Sequence, residues 1–293
     1  MSKTMPMAPP EYLIGKRAVV EKYIDQFLPD PQTYPQKLHE AIRYSVMAPG
    51  KRLRPILTVA AFESCGGSGE EVFHAAVAIE CIHTYSLIHD DLPCMDDDDL
   101  RRGQPTLHRR YGEAIALLAG DALHDLAFKL MAQTGSPQAV LELAEAIGTS
   151  GMLAGQMADM DGEDRQLSLD EVTFIHDHKT GKLIRGSVRI GAILAKAPSS
   201  RVEAITVYGE KVGLAFQIID DILDIEGETA TLGKPVGSDS KNHKATYPAV
   251  IGLEKSRMVA AGLIEEAIKV IEKAVSYPSP FIQIARYIGG RQH

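Results

Sequence analysis

Residues 75–99 read AAVAIECIHTYSLIHDDLPCMDDDD, a run of apolar residues at helical spacing that changes abruptly into an acidic segment. Residues 214–224, LAFQIIDDILD, have the same arrangement farther along the chain. Solvated charges normally lie on the polar face of a helix, whereas these carboxylates lie at the ends of strongly apolar helices. The two stretches therefore predict helices that carry a charged functional site at their ends.

The rest of the chain follows the same helical pattern, and alternation with a period of two residues is rare. Predicted helices occupy residues 13–28, 36–48, 55–64, 70–92, 112–133, 138–158, 169–196, 200–224, 244–252, 255–276 and 278–289. Two polar segments, 93–106 and 226–243, depart from the pattern. Because no internal repeat or low-complexity linker divides the chain, we expect one all-α domain over residues 1–293, with residues 1–12 flexible.

The composition excludes several classes of function. There are 31 Lys and Arg against 39 Asp and Glu, and the resulting net charge of −8 argues against non-specific binding of nucleic acid or anionic lipid. No apolar run approaches the ~18 residues of a membrane span, and MSKTMPMAPPEY lacks the apolar core of a secretory signal. Cys65, Cys81 and Cys94 form neither a disulfide framework nor a zinc motif, so we expect a cytoplasmic protein.

The second acidic cluster predicts a metal site. Four residues share one face of a helix at spacing i, i+3, i+4, i+7, namely Gln217, Asp220, Asp221 and Asp224. Like charges at this spacing repel one another by about 0.2–0.5 kcal/mol, so three carboxylates on one stripe favour a bound cation. Carboxylate oxygens without nearby His or Cys ligands suit Mg²⁺ or Mn²⁺ better than zinc.

The first acidic cluster needs a break in its helix to act in the same way. Asp90 and Asp96 would lie on different faces of an uninterrupted helix, because six residues turn through about 600°. Pro93 favours a turn that returns Asp96 toward Asp90. An EF-hand is excluded, since Leu100 and Arg101 stand where an oxygen ligand and a glycine are required. A solvated turn explains one such cluster alone, but two clusters with surrounding cations favour the metal site.

Basic residues lie at the breaks between the predicted helices, where a phosphate could bind. Mg²⁺ usually bridges a few carboxylates to the phosphates of a substrate. The candidate phosphate ligands are Lys51, Arg54, His83, Arg101, Arg102, Lys179, Lys234, Lys241 and Lys244. Arg52 is interpreted as a solvated surface charge, and the i, i+2 spacing of His176 and His178 makes them a poor metal pair. This pattern favours a substrate with more than one phosphate group.

Taken in order, these residues resemble the trans-prenyltransferase (polyprenyl synthetase) family, and within it the bacterial-type farnesyl diphosphate synthases. The similarity extends from about Leu38 to Pro248. Its motifs are GKRLRP at 50–55, DDLPCMDDDDLRRG at 90–103, KTG at 179–181, FQIIDDILD at 216–224 and GKPVGSD at 233–239, followed by TYP at 246–248. One DDxxD motif alone is a weak signal, whereas this ordered set is specific. Pro49, where many members have glycine, is a departure that stiffens the first turn.

The resemblance implies a homodimer of the isoprenoid synthase type, with helices around a deep central cavity. The implied reaction condenses isopentenyl diphosphate with dimethylallyl and then geranyl diphosphate. The implied Mg²⁺ ligands are Asp90, Asp96 and Asp220, supported by Asp91 and Asp224. The allylic diphosphate would be held by Arg101, Lys179, Lys234 and Lys241, and isopentenyl diphosphate by Lys51, Arg54, His83 and Arg102. With Thr180 and Gln217 supplying dipoles to the carbocation, the implied catalytic residues are Asp90, Asp96, Asp220, Lys179, Thr180 and Gln217.

The resemblance also assigns the length of the product to residues just before the first motif. Tyr85 precedes Asp90 by five residues, about 7.5 Å along a helix. An aromatic residue there, together with Ser86, is implied to close the cavity floor and to limit the product to (2E,6E)-farnesyl diphosphate. The alternative is that Tyr85 only packs in the core. Segment 226–243 is interpreted as a lid, and Arg291 as a residue that closes over the isopentenyl diphosphate site.

Several alternatives stay open within and beyond this family. A geranyl or geranylgeranyl diphosphate synthase differs only in product length, and a non-catalytic subunit of a heteromeric synthase would be expected to lose aspartates that are present here. A terpene cyclase binds no second diphosphate, so the cations assigned to isopentenyl diphosphate argue against that class. GKPVGSD does not fit the nucleotide-binding pattern GxxxxGK[ST].

Overall fold

The computed structural model describes residues 9–226 and 246–291, and within these ranges the chain is almost entirely helical. In chain order the helices are α1 (Glu11–Phe27), α2 (Gln36–Val46), α3 (Leu53–Ser64), α4 (Glu71–Asp90), α5 (Leu107–Tyr111), α6 (Glu113–Gln133), α7 (Pro137–Ile147), α8 (Met152–Asp161), α9 (Leu169–Ile175), α10 (Lys182–Leu194), α11 (Ser199–Glu226), α12 (Tyr247–Ile251), α13 (Leu253–Ala274) and α14 (Ser279–Gly289). A π-helical turn, His176–Gly181, joins α9 to α10. Strands β1 (Leu100–Arg101) and β2 (Gln104–Pro105) form one short antiparallel pair. The predicted all-α class is confirmed.

The core is built around α4, which is apolar on nearly all sides. Its side chains at Val77 and Ile82 are fully buried, as are most of those between them. A helix with this composition is expected at the centre of a bundle, and α3 and α6 pack directly against it. Helix α11 packs between α10 and α13, and buried side chains from α1 through α14 belong to one hydrophobic core.

Two predicted helices are divided in the structure. The prediction of one helix over 138–158 is wrong, because the chain breaks between α7 and α8 at 148–151. A Cβ atom at Gly151 would lie 2.3 Å from the carbonyl oxygen of Ala146, so the chain passes this point on a glycine. The helix predicted at 169–196 contains the π-helical turn, whose wider repeat falls on residues 176–181, HDHKTG, a stretch without apolar side chains.

The remaining parts of the chain are the polar segments and the N-terminus. Residues 93–106 turn back through the β1–β2 pair. Residues 1–8 of the segment predicted to be flexible lie outside the described residues. Helix α1 begins at Glu11, and the Tyr12 hydroxyl donates to Glu63 at 2.9 Å. The lid predicted at 226–243, with Lys234 and Lys241, lies outside the described residues apart from Glu226. Within the described ranges, no helix combines the length and apolarity needed to traverse a bilayer.

Candidate active site

A cavity of about 430 Å³ lies where the ends of α4 and α11 approach the π-helical turn and α8. Both acidic motifs and most of the predicted cations line it. The predicted site residues on its wall are Arg54, His83, Asp90, Asp96, Arg101, Arg102, Lys179, Thr180, Gln217, Asp220, Asp224 and Arg291. The structure thus brings together groups as far apart in the sequence as Arg54 and Arg291.

The first acidic motif folds back on itself. Helix α4 ends at Asp90, and the backbone amide of Asp96 donates to the carbonyl oxygen of Asp90 at 2.8 Å. The amide of Met95 donates to Leu92 at the same distance and tightens the turn around Pro93. Asp90 and Asp96 therefore lie on the same cavity wall, which an uninterrupted helix would not allow.

Asp91 has a different environment from its neighbours. It is buried and accepts a hydrogen bond from Arg101 Nε at 2.9 Å, and it does not contribute to the described cavity wall. Arg101 also donates to Asp98 at 2.9 Å. Asp91 is thus placed to orient Arg101, which itself lines the cavity.

The second acidic motif presents one helical face to the cavity. Gln217, Asp220, Asp221 and Asp224 of α11 all line it. Asp221 is buried, and its carboxylate accepts hydrogen bonds from the Tyr247 amide at 2.9 Å and from Gln217 Nε2 at 3.3 Å. His176 Nε2 lies 3.3 Å from the same carboxylate. Asp221 therefore links α11 to the π-helical turn and to α12.

The π-helical turn carries the KTG motif into the cavity. Lys179 Nζ lies 2.6 Å from Asp159 Oδ2 on α8, and the Thr180 hydroxyl donates to Gln217 Oε1 at 2.8 Å. Helix α8 approaches so closely that a Cβ atom at Gly155 would lie 2.0 Å from the Lys179 backbone nitrogen. π-Helical turns of this kind are frequent at functional sites.

Two ionisable cavity residues, Asp159 and His176, were missed by sequence reasoning, whereas Asp221 belongs to the predicted acidic stripe on α11. His176 precedes KTG by three positions, so proximity to a motif was the available signal. Burial lowers the pKa of His176 to about 4, so the imidazole is neutral at neutral pH. Asp159 carried no signal, because its ion pair joins residues 20 positions apart on different elements.

A cluster of cations lines another part of the same cavity. Arg54 Nη1 lies 3.4 Å from His83 Nε2, and the guanidinium of Arg102 packs against Gly50, where a Cβ atom would lie 3.1 Å from Nη1. Burial and the adjacent Arg54 and Arg102 hold the pKa of His83 well below its ordinary value. Lys51 lies at the edge of this cluster with part of its surface exposed. Desolvation of its amine and the positive charge of Arg291 lower its pKa to about 8.

Arg52 contradicts its predicted role as a surface charge. Only 3% of the residue is exposed, and its Nη1 lies 2.6 Å from Oε1 of Glu80. Its Nη2 donates to the Ala48 carbonyl at 2.8 Å. The prediction failed because the partner carboxylate is 28 residues away and is brought near only by the packing of α3 on α4.

Arg291, close to the C-terminus, reaches the acidic side of the cavity. Its Nη2 lies 2.7 Å from Asp220 Oδ1, and its guanidinium lies 4.5 Å from the Phe216 ring centroid. Its Nε and Nη1 are buried without a hydrogen-bond acceptor among the described residues. In this conformation Arg291 contacts a predicted metal ligand rather than the predicted isopentenyl diphosphate site.

Tyr85 and Ser86 lie behind the cavity rather than among its lining residues. The Tyr85 ring is buried and meets His89 and His124 edge-on, with centroid distances of 5.5 and 5.3 Å. The Ser86 hydroxyl donates to the His83 carbonyl at 2.9 Å. Leu87 supplies an apolar part of the cavity wall on this helix.

The donor set fits Mg²⁺ bound together with a phosphate ligand. Within the described residues, no group of three or more carboxylate, imidazole or thiol side chains converges as a complete metal cage. The carboxylates of Asp90, Asp96, Asp220 and Asp224 instead line one cavity from α4, the turn that follows it, and α11. Mg²⁺ keeps several waters and is commonly held by one or two carboxylates plus substrate phosphates, which is compatible with this arrangement.

Two aspartate motifs and a cluster of cations share one cavity in this helical bundle. That arrangement is typical of the class of synthases that join prenyl diphosphates. The family model described as Polyprenyl synthetase matches residues 35–277. The chain belongs to this family and is a prenyltransferase.

Named relatives and a solved structure agree with this membership. The farnesyl diphosphate synthase of Bacillus subtilis (strain 168) is 41% identical over 290 residues, covering 96% of this chain and 98% of that protein. The heterodimeric geranylgeranyl pyrophosphate synthase large subunit 1, chloroplastic, of Arabidopsis thaliana is 44% identical over 298 residues, covering 96% and 79%. The crystal structure of the Helicobacter pylori geranyltransferase complexed with magnesium and isoprenyl diphosphate is similar with a TM-score of 0.77, at 32% identity and 96% coverage of both chains.

Proposed function

We propose that the protein is a farnesyl diphosphate synthase that condenses isopentenyl diphosphate with dimethylallyl and then geranyl diphosphate. One observation carries the proposal. The carboxylates of α4 and α11 share a cavity with a separate cluster of Arg54, His83 and Arg102. The acidic side suits a metal-bound diphosphate, and the cationic side suits a second diphosphate without metal.

The acidic side would bind the allylic diphosphate. Asp90, Asp96 and Asp220 would hold Mg²⁺, with Mn²⁺ as a substitute, and Asp224 would support them. When bound, the metal neutralises charge on the leaving diphosphate. Lys179 and Arg101 add fixed positive charge to the same group, each oriented by a carboxylate: Asp159 for Lys179 and Asp91 for Arg101. Lys234 and Lys241 are proposed to join them from outside the described residues.

The carbocation left by loss of diphosphate needs dipoles but no nucleophile. Gln217 Oε1, held by the Thr180 hydroxyl at 2.8 Å, and the carbonyl of Lys179 are proposed to supply these dipoles. The double bond of isopentenyl diphosphate, held by Lys51, Arg54, His83 and Arg102, attacks the cation. The departing diphosphate then accepts the proton that is lost. Exclusion of water from the cavity protects the cation during this step.

The most specific part of the proposal is the fifteen-carbon product, and the alternative is a geranylgeranyl product. Relatives named farnesyl and geranylgeranyl diphosphate synthase match this chain at similar identity, 41% and 44%. The buried Tyr85 ring, backed by His89 and His124, favours the shorter product. We further propose that the chain acts as a single domain in a cytoplasmic homodimer.

A product assay tests the function directly. The purified protein would be incubated with Mg²⁺, isopentenyl diphosphate and either dimethylallyl or geranyl diphosphate, and the products separated by chain length. Farnesyl diphosphate from both primers is the expected result. Longer products would overturn the chain length and preserve the chemistry, while no condensation with or without EDTA would refute the catalytic function.

A further inference from the structure

A buried ion pair joins the turn before α3 to the middle of α4. Arg52 Nη1 and Glu80 Oε1 are 2.6 Å apart, and the two side chains are 1% and 2% exposed. Arg52 also donates to the Ala48 carbonyl at the start of the same turn. The backbone of Arg52 is left-handed, with φ 50° and ψ 34°. Non-glycine residues keep this conformation only where their surroundings hold it, so the ion pair fixes a turn that the backbone alone disfavours.

The two partners are neighbours of the proposed isopentenyl diphosphate ligands. Arg52 lies between Lys51 and Arg54 on the turn. Glu80 precedes His83 by three residues, on the same face of α4. Arg54 and His83 meet at 3.4 Å inside the cavity, whereas neither Arg52 nor Glu80 belongs to its described wall. The ion pair therefore lies directly behind the groups that would touch the diphosphate.

Glu80 also supplies the buried negative charge of this region. Arg54 and Arg102 both lie where the charge of Glu80 favours their protonated forms and opposes the effect of burial on their pKa. Replacing a buried ion pair with apolar residues is often neutral for stability, so such a pair is not explained by stability alone. A requirement to hold neighbouring cations in one arrangement is a sufficient reason for its presence.

We propose that Arg52 and Glu80 are positioning residues for the metal-free diphosphate site, a role that rests on the proposed function. They fix the turn that carries Lys51 and Arg54 against the helix that carries His83. They do not touch the substrate. Loss of either charge should therefore weaken binding of isopentenyl diphosphate without changing the metal-dependent site to the same extent.

The test is the substitution Glu80→Gln, which preserves side-chain volume and removes the charge. We expect the KM for isopentenyl diphosphate to rise at least tenfold, with the KM for geranyl diphosphate changing by less than about twofold. Calorimetric binding of isopentenyl diphosphate in EDTA should weaken by a similar factor. An unchanged affinity for isopentenyl diphosphate, or an equal loss at both sites, would overturn the proposal.

Glu142→Gln is the matched control. Glu142 is equally buried, at 1% exposed, and its Oε1 lies 2.7 Å from Arg189 Nε, but neither residue lines the cavity. The control should lower the Tm comparably and leave the ratio of the two KM values unchanged. If the control changes this ratio as Glu80→Gln does, a general loss of stability explains the effect and the positioning role is wrong.

A double variant covers the case in which Glu80→Gln does not fold. Arg52→Met combined with Glu80→Leu removes both charges and is expected to recover the Tm. Its affinity for isopentenyl diphosphate should still be at least tenfold below the wild-type value; recovery of that affinity would refute the proposal. Failure of the proposed function would give a different result from failure of the positioning role. Wild-type protein would then bind isopentenyl diphosphate in EDTA without forming product, or would not bind it.

Discussion

Lys51 lies at the edge of the cationic cluster, where its surroundings destabilise its positive charge. Burial and the charge of Arg291 lower its pKa to about 8. A diphosphate would bind the protonated amine, so binding should be lost as pH rises through this value. We expect kcat/KM for isopentenyl diphosphate, which reports groups of the free enzyme, to fall about tenfold per pH unit above pH 8.

Lys51→Arg provides the check on this assignment. An arginine at this exposed position stays protonated throughout the accessible range, so the alkaline decline should move to higher pH. The pH profile for geranyl diphosphate serves as the internal control. A decline that stays near pH 8 in Lys51→Arg would show that another group is responsible.

Tyr85 is the second residue whose role can be resolved by substitution. Its ring is buried between α4 and α6 and contacts His89 and His124. Tyr85→Ala should open space behind Leu87, shift the products to twenty carbons or more, and cost about 3–5 kcal/mol of unfolding free energy. Product analysis with Tyr85→Phe, which keeps the ring, is the control. An unchanged product profile from folded Tyr85→Ala would leave Tyr85 a core residue only.

At the scale of elements, the close packing of α8 on the π-helical turn determines where Lys179 lies. A Cβ atom at Gly155 would meet the backbone of Lys179 at 2.0 Å and that of His178 at 2.6 Å. Backbone atoms cannot move aside cheaply, so Gly155→Ala should lower the free energy of unfolding by about 1–3 kcal/mol and reduce kcat. Thermal unfolding and a product assay measure the two effects.

Gly15→Ala is the control for Gly155→Ala. Gly15 lies inside α1, is exposed, and has no atom within 4 Å of an added Cβ. This substitution should stabilise the protein by about 0.5–1 kcal/mol, since alanine is favoured over glycine within a helix. Equal effects from both substitutions would show that the contact between α8 and the π-helical turn does not restrict the side chain at position 155.

The elements also show what local sequence can predict. Pro93 was sufficient to predict the end of α4, because its consequences for the backbone are local. The π-helical turn could not be predicted, since the polar sequence of residues 176–181, HDHKTG, does not show which helical repeat the backbone takes. That turn depends on contacts from α8 and α11, through Gly155 and Asp221, that are absent from the local sequence.

At the scale of the whole molecule, the site residues that belong to a sequence motif could be predicted. Asp90, Asp96, Asp220 and Asp224 were identified from spacing, and all four line the cavity. Arg52 was interpreted wrongly, because its burial depends on Glu80, a residue of a different helix. Long-range ion pairs of this kind leave no periodic pattern in the sequence, so residues that position the ligands are the ones that sequence reasoning misses.

The two acidic motifs belong to different helices, so a ligand held by both should stabilise the whole bundle. Geranyl diphosphate with Mg²⁺, at about 100 times its dissociation constant, should add about 2.7 kcal/mol to the free energy of unfolding. For a chain of this size that corresponds to a rise in Tm of roughly 5 °C, and either component alone should give much less. Asp90→Asn and Asp220→Asn should each abolish the rise, whereas Asp99→Asn, in the same acidic run but outside the described cavity wall, should retain it. A rise that persists without Mg²⁺, or in Asp90→Asn and Asp220→Asn alike, would show that the two motifs do not bind one metal-bound diphosphate.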